Sequence, residues 1–277
     1  MAFTDRLAPE VTTIALCWRI ARRDGVVLGF TSHDAPLEIG GLRYEAAPGM
    51  TPSAISNGLG LDVATMEFAG ALSAGAMTGA DLAAGRFDAA RLDVFMADWT
   101  APEAETLPVA RGTIGAIEQQ TRRGTGTFTA TVRGPTAAFE ALAVESCTPT
   151  CRAELGDRRC RVDLAPLTTT VAAGFGSFGD RIVVDGLGDA ARFVEGRVRA
   201  VDGPNAGLDA RIVTVDGAIL VVMEALPDAI AAGDRLEVRE GCDKRFATCS
   251  SRFANAVNFR GEPHVPGSDV LTRFPGV

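Results

Sequence analysis

Four cysteines fall into two pairs far apart in the chain. Cys151 and Cys160 enclose eight residues, and Cys242 and Cys249 enclose six. Both pairs sit in short segments that carry Arg or Lys beside an Asp, Thr150-Cys151-Arg152 through Asp157-Arg158-Arg159-Cys160 and Gly241-Cys242-Asp243-Lys244-Arg245. Thiolate is a metal ligand, and two separated pairs point to a four-thiolate site that ties the C-terminal segment back to the middle of the molecule. Structural zinc usually takes cysteines in tight knuckles of about two to four intervening residues. The wider loops here suit a larger cubane, which favours a 4Fe-4S cluster; zinc is the alternative, and disulfides formed after release from a cell are a third reading. Arg152, Arg158, Arg159, Lys244 and Arg245, with backbone N–H groups, are expected to offset the charge of the thiolates.

The other candidates carry less. Cys147 precedes Cys151 with three residues between them and competes for a ligand position, but its plainer reading is a buried thiol ending the preceding helix. Cys17 lies within a strand pattern and reads as a packing residue. His33, beside Asp34, has no nucleophile motif near it and reads as a turn residue. His264, between Pro263 and Pro266, reads as a surface or interface residue rather than a fifth ligand. Gly174-Phe175-Gly176-Ser177-Phe178-Gly179 lacks the GKS/GKT ending of a phosphate loop and reads as a flexible linker with hydrophobic anchors.

Composition narrows the function classes. The 277 residues allow two domains, or one with an insertion, and nearly half are hydrophobic. With Asp and Glu at 35 against Lys and Arg at 27, the net charge of −8 argues against a primary nucleic-acid binder, which needs a basic stripe. No run approaches a membrane span, and no apolar segment follows a basic start, so folding in a reducing cytoplasm is expected. There, cysteines are more often thiols or metal ligands than disulfides.

The elements that must position the cysteines are mostly strands. Thr12 to Ile20 alternates, with Ile14, Leu16, Trp18 and Ile20 on one face and Thr13, Ala15, Cys17 and Arg19 on the other. Further strands are predicted over Val26–Thr31, Leu37–Ile39, Leu42–Tyr44, Asp62–Phe68 and Arg91–Trp99, and Val109–Thr131 as a hairpin turning at Arg122-Arg123-Gly124. Short helices are predicted from Thr78, which can cap, to Gly85, and from Pro135 to about Val144. Between the cysteine pairs, Arg181–Val184, Ala191–Val201, Ala210–Val215, Ile219–Met223 and Arg235–Arg239 read as about five short strands with Asp-Gly turns, a small barrel or sandwich. The fold class is therefore mainly β, a β-rich α+β chain. Its expected organisation is a strand-rich N-terminal domain (residues 1–145), a cluster segment made of 146–165 plus 241–277, and a small β-barrel (166–240) inserted between the two cysteine pairs.

The C-terminal run Gly241-Cys242-Asp243-Lys244, Cys249, Phe253, Asn255, Asn258-Phe259-Arg260-Gly261, Pro263 and Pro266-Gly267 resembles the signature of phage tail proteins of the baseplate hub family. So do Trp18, Arg23-Asp24-Gly25, Gly29-Phe30-Thr31-Ser32-His33-Asp34, Tyr44 and Gly49, and so does Gly203-Pro204-Asn205-Ala206-Gly207 with Ala232-Gly233-Asp234. Members occur in siphophage-like tails and in the gene transfer agents of alphaproteobacteria. The resemblance spans essentially the whole chain. It implies a trimeric structural hub in the virion's tail baseplate, assembled in the bacterial cytoplasm. Its implied partners are the distal tail protein, the central tip or receptor-binding protein and a tail-associated peptidase. DNA is implied to pass through the lumen without specific binding. Cys151, Cys160, Cys242 and Cys249 match the family's ligands of a 4Fe-4S cluster. The spacing is similar to that of the tail tip protein L of phage lambda, from which the large insertion at 166–240 departs.

A second reading is an iron–sulfur redox or DNA-processing enzyme, which should show a nucleotide motif or a basic groove; neither is present in the sequence. A third is a zinc-clipped hub of the same architecture, distinguished by metal content alone.

Overall fold

The computed structural model describes residues 3–47, 51–52, 65–71, 77–122, 125–140 and 144–265. The chain divides into two compact units, Met1–Ala143 and Val144–Val277. Strands dominate both, and the fold is mainly β, as the alternation and turn residues predict. Among the described residues, no helix is long and apolar enough to cross a membrane.

The first unit is built on a nine-stranded sheet. In chain order its strands are β1 (Ile14–Ala21), β2 (Val27–Thr31), β3 (Leu37–Ile39), β4 (Leu42–Ala46), β5 (Thr51–Pro52), β6 (Thr65–Ala71), β7 (Arg91–Asp98), β8 (Leu107–Arg122) and β9 (Thr125–Arg133). They lie side by side as β3-β4-β2-β1-β7-β8-β9-β6-β5. The pairings are antiparallel except that of β2 with β4.

Strand β1 is covered on both faces, so its alternation sorts two cores rather than core from solvent. Trp18 and Ile20 enter the larger core with Phe30, Phe87, Leu92 and Val94. Ala15 and Cys17 enter a smaller one with Leu37, Tyr44 and Ala97. Cys17 is fully buried, with its thiol 3.6 Å from Thr31 Oγ1, and burial pushes its pKa up. It is an inert packing residue, as its place in the strand pattern predicts.

Helix α1 (Gly79–Ala83) starts where the sequence predicts, with Asp81 N–H donating to Thr78 Oγ1 at 3.1 Å. The element begun by Pro135 differs from expectation. It is a 3-10 helix over Pro135–Glu140, and Val144 is already outside it. The expected turn at 123–124, residues 62–64 of the expected strand, and the family-like Gly49 and Pro266-Gly267 lie outside the described residues.

The second unit contains a six-stranded antiparallel sheet: β10 (Thr168–Ala172), β11 (Arg181–Val183), β12 (Arg197–Ala200), β13 (Asp209–Asp216), β14 (Ile219–Val222) and β15 (Arg235–Arg239), in the order β10-β15-β12-β13-β14-β11. A single bridge, Ala173 with Val184, joins the two outer strands and curls the sheet on itself. Its interior is apolar, filled by Ile182, Phe193, Val198, Ile212, Leu220, Leu236 and Val238.

Two sequence expectations change here. The continuous strand expected over 191–201 is a 3-10 turn at Ala190–Phe193 followed by β12, with Glu195 at φ +64° between them. Gly174–Gly179 closes the β10–β11 connection, and its phenylalanines are not anchors: Phe175 and Phe178 are 92% and 87% exposed.

Candidate metal centre

Each cysteine is set by its own local device. The first segment is held by a short backbone pairing with the tail. Arg152 N–H donates to Arg260 C=O at 2.9 Å, and Glu262 N–H donates to Thr148 C=O at 2.8 Å. Gly261 lies so close that a Cβ there would come within 2.5 Å of Thr150 O. Cys151 N–H donates to Lys244 C=O at 2.8 Å, and Cys151 Sγ accepts from Arg260 N–H at 3.3 Å.

A carboxylate shapes the loop to Cys160. Asp157 Oδ1 accepts from the N–H groups of Cys160 (2.6 Å) and Arg159 (2.7 Å), and Oδ2 from Glu154 N–H (3.0 Å). These donors, Cys160 N–H foremost, hold the Asp157 carboxyl below the usual carboxylate range. Cys160 is 9% exposed.

The second pair leaves the barrel directly. β15 ends at Arg239, and Gly241 follows it pressed against the Val194–Gly196 backbone, where a Cβ would overlap Val194 O. Cys242 comes next. Asp243 then starts helix α2 (Phe246–Ser251): its Oδ1 accepts from Arg245 N–H at 3.0 Å and its Oδ2 from Thr248 Oγ1–H at 2.9 Å. Cys249 lies in α2 and is 7% exposed.

Hydrogen bonds link the two cysteine segments: Cys151 N–H reaches Lys244 C=O, and Asn255 touches both Cys160 and Cys249. Burial pushes the Cys249 thiol up, and the negative forms of Cys151, Cys242 and Cys160 each push it further. Burial likewise raises Cys242, while Lys244 acts in the opposite direction. All six cysteines are free thiols. Cys151, Cys160 and Cys242 thus all lie within electrostatic reach of Cys249. Cys147 is exposed, not buried at a helix end. Among the described residues, no three His, Cys, Asp or Glu side chains are arranged to hold a single ion.

The donor set fits a thiolate-bound group, with soft ligands from two loops and N–H groups aimed at sulfur. Three of the basic residues also bind the loops themselves. Arg152 grips Glu262 bidentately at 2.7 and 2.9 Å and also binds Glu145, and Arg159 binds Glu145 at 2.6 Å. Arg152 holds the Glu262 carboxyl below its usual range, and the pair raises the Arg152 pKa. Lys244 donates to Ala153 C=O at 2.5 Å. These cations fasten the loops, and Lys244 also draws the Cys242 thiol downward.

Sequence reasoning did not assign Asp157, Asp243 or Asn255. An Asp three residues before Cys160, and one immediately before the Lys-Arg that precedes α2, are the turn signals that could have found the first two. His33 in the first unit lines a cleft of about 340 Å³ with Ile14, Ala15, Ser32, Asp34 and Trp99. It stacks on Trp99 at 4.9 Å, and its Nδ1 meets the Ala35 backbone, the behaviour of a turn residue.

Residues 1–163 match the family described as baseplate hub protein, N-terminal attachment domain. The chain belongs to the baseplate hub family. Residues 191–269 of this hub protein match a second family, phage conserved hypothetical protein BR0599. The hub is 38% identical, over 99% of its length, to a chain in the virion of a native gene transfer agent particle, covering 95% of that chain with a TM-score of 0.83. A tail protein from Neisseria meningitidis MC58 aligns with 53% of the hub and 32% of its own length at 10% identity and a TM-score of 0.27, too low to carry any argument. No curated protein matches the sequence.

Proposed function

We propose that this protein is a structural, non-enzymatic hub in the baseplate of a gene-transfer-agent tail, and that Cys151, Cys160, Cys242 and Cys249 hold a 4Fe-4S cluster in it. The observation that carries the reading is the meeting of two distant cysteine pairs around Cys249, in a chain akin to one in a gene transfer agent virion. A cluster bound there supplies strong bonds between the middle of the chain and its tail, where a small unit has little core of its own. Asp157 and Asp243 shape the two loops, Gly241 fixes the exit from β15, and Arg152 with Glu262 fastens the returning segment.

As a hub the protein forms a trimer between the ring of distal tail protein and the central tip or receptor-binding protein, with a tail-associated peptidase as a further neighbour. DNA passes its lumen without specific binding. The barrel is the element inserted between the two halves of the cluster segment.

Iron, zinc and acid-labile sulfide content, with an absorption spectrum, on protein purified without oxygen test the cluster. The expected result is about four irons and four sulfides per chain with a broad band near ~400 nm. Serine at any of the four cysteines should abolish the band, and serine at Cys147 or Cys17 should leave it. Zinc without sulfide would mean a zinc clip in the same hub. Neither metal would remove the metal site and leave the hub assignment standing.

A further inference from the structure

We propose that Asn255 is the positioning residue of the thiol site, holding Cys160 and Cys249 in place with its side chain and backbone at once. Asn255 Nδ2 donates to Cys160 C=O at 2.6 Å and lies 3.6 Å from Cys160 Sγ. Its backbone N–H donates to Cys249 C=O at 3.0 Å, and its C=O accepts from the Cys249 thiol at 3.4 Å. One residue therefore touches one member of each cysteine pair, across 95 residues of chain in the case of Cys160. Its amide orientation is fixed chemically. The Cys160 carbonyl can only accept, so it requires Nδ2, and Asn258 Nδ2 donates to Asn255 Oδ1 at 2.7 Å from the other side.

The path of the chain delivers this contact. Helix α2 ends at Ser251, and Ala254 takes the left-handed conformation at φ +49°. That reversal returns Asn255 to the last turn of α2, where its N–H satisfies the Cys249 carbonyl left open at the helix end. An N–H aimed at sulfur also favours the thiolate and any metal-bound form of it. Asp in this position keeps the shape but sets a negative oxygen against the Cys160 carbonyl and sulfur.

The proposal rests on the four cysteines forming one site, and the experiment separates the two ideas. Full-length wild type, Asn255→Asp and Asn258→Ala are prepared metal-free and reduced. N-ethylmaleimide labelling is followed cysteine by cysteine by mass spectrometry, with amide hydrogen exchange of strands β12 to β15 as the reference for intact folding of the second unit. Cys160 should label about tenfold faster in Asn255→Asp, the change expected when local opening loses one to two hydrogen bonds, and Cys249, held through the Asn255 backbone, should rise less. Asn258→Ala, which only loosens the amide orientation, should give a smaller rise. Equal labelling in wild type and Asn255→Asp overturns the proposal. Each protein is then reconstituted with ferrous iron and sulfide. If wild type loads, Asn255→Asp should load less, and its loaded fraction should be reduced at a more negative potential, a change that general loosening does not produce. An unchanged potential limits Asn255 to a structural contact and overturns its positioning of sulfur. If wild type does not load, the metal reading fails, and the labelling rates still decide the role of Asn255.

Discussion

The residues around the thiols divide into those that shape loops and those that fasten them, and the Arg152–Glu262 pair is the main fastener. Both hydrogen bonds of the fork are present, and Glu262 also accepts from Thr148 N–H at 2.9 Å. The pair is partly exposed, so its effect should be local rather than global. Arg152→Ala or Glu262→Gln should make the segment around residue 260 exchange amide hydrogens faster and be cut sooner by protease, with the barrel unaffected; hydrogen exchange read peptide by peptide checks this. Asp98 shows a comparable arrangement in the first unit. Thr100 Oγ1–H donates to it at 2.7 Å, Arg6 lies at 2.8 Å, and the Thr100 hydroxyl above all holds its carboxyl below the usual range. A lowered folded pKa means the stabilisation is complete above the ordinary carboxylate value of about 3.9 and is lost as pH falls through the lower folded value. Thermal unfolding of Asp98→Asn should therefore show a flatter decline below about pH 4 than wild type. Equal acid limbs in the two proteins would remove Asp98 as a source of that dependence.

At the scale of elements, the joint between barrel and thiol site depends on two backbones in contact. Gly196 precedes β12 and Gly241 follows β15, and a Cβ on either would run into main-chain atoms of the other's neighbourhood: Arg239 O for Gly196, Val194 O for Gly241. Gly196→Ala or Gly241→Ala should each cost about 2–3 kcal/mol, since one carbonyl belongs to the end of β15 and the other to the turn that leads into β12. Gly217, in the β13–β14 turn at φ +59°, has nothing within 4 Å of an added Cβ, so Gly217→Ala should cost only about 1 kcal/mol. Denaturant unfolding of the three variants gives the order directly. These joints also mark where the sequence is legible. Strands with clean alternation and Asp-Gly turns, such as β13 and β14, declare themselves because burial and turn chemistry are local. Strand β10 does not: Thr168 to Thr170 are followed by Val171 and Ala172, and no residue of the strand is fully buried. Its place is set by pairing with β15, a partner more than sixty residues away. The break before β12 is equally hidden, because the contact that forces it comes from Gly241. The four cysteines stand out in the sequence by residue type and spacing, whereas Asn255 does not, since an Asn in a loop has no signal until the chain folds back on Cys249.

At the scale of the whole molecule, net charge and local pairing together set how strongly this hub would attract DNA. The net charge of −8 opposes non-specific binding. The outer face of the barrel is the apparent exception, because Arg211, Arg197 and Arg239 stand directly opposite one another on β13, β12 and β15. Like charges in cross-strand register repel, and such a row resembles a phosphate-binding stripe. Two of the three are paired in place: Arg197 with Asp209 and Arg211 with Glu195. These two ion pairs reduce the attraction of the row for a phosphate backbone. Wild type should accordingly show no retention of duplex DNA at about 0.15 M salt. Asp209→Asn combined with Glu195→Gln releases two guanidinium groups without altering side-chain volume. Binding should then emerge at low salt and weaken with a log–log slope of about −0.9 for each phosphate contacted. Retention by wild type with the same slope as the double variant would show that the carboxylates do not screen this face, and would return the barrel to consideration as a DNA-contacting surface.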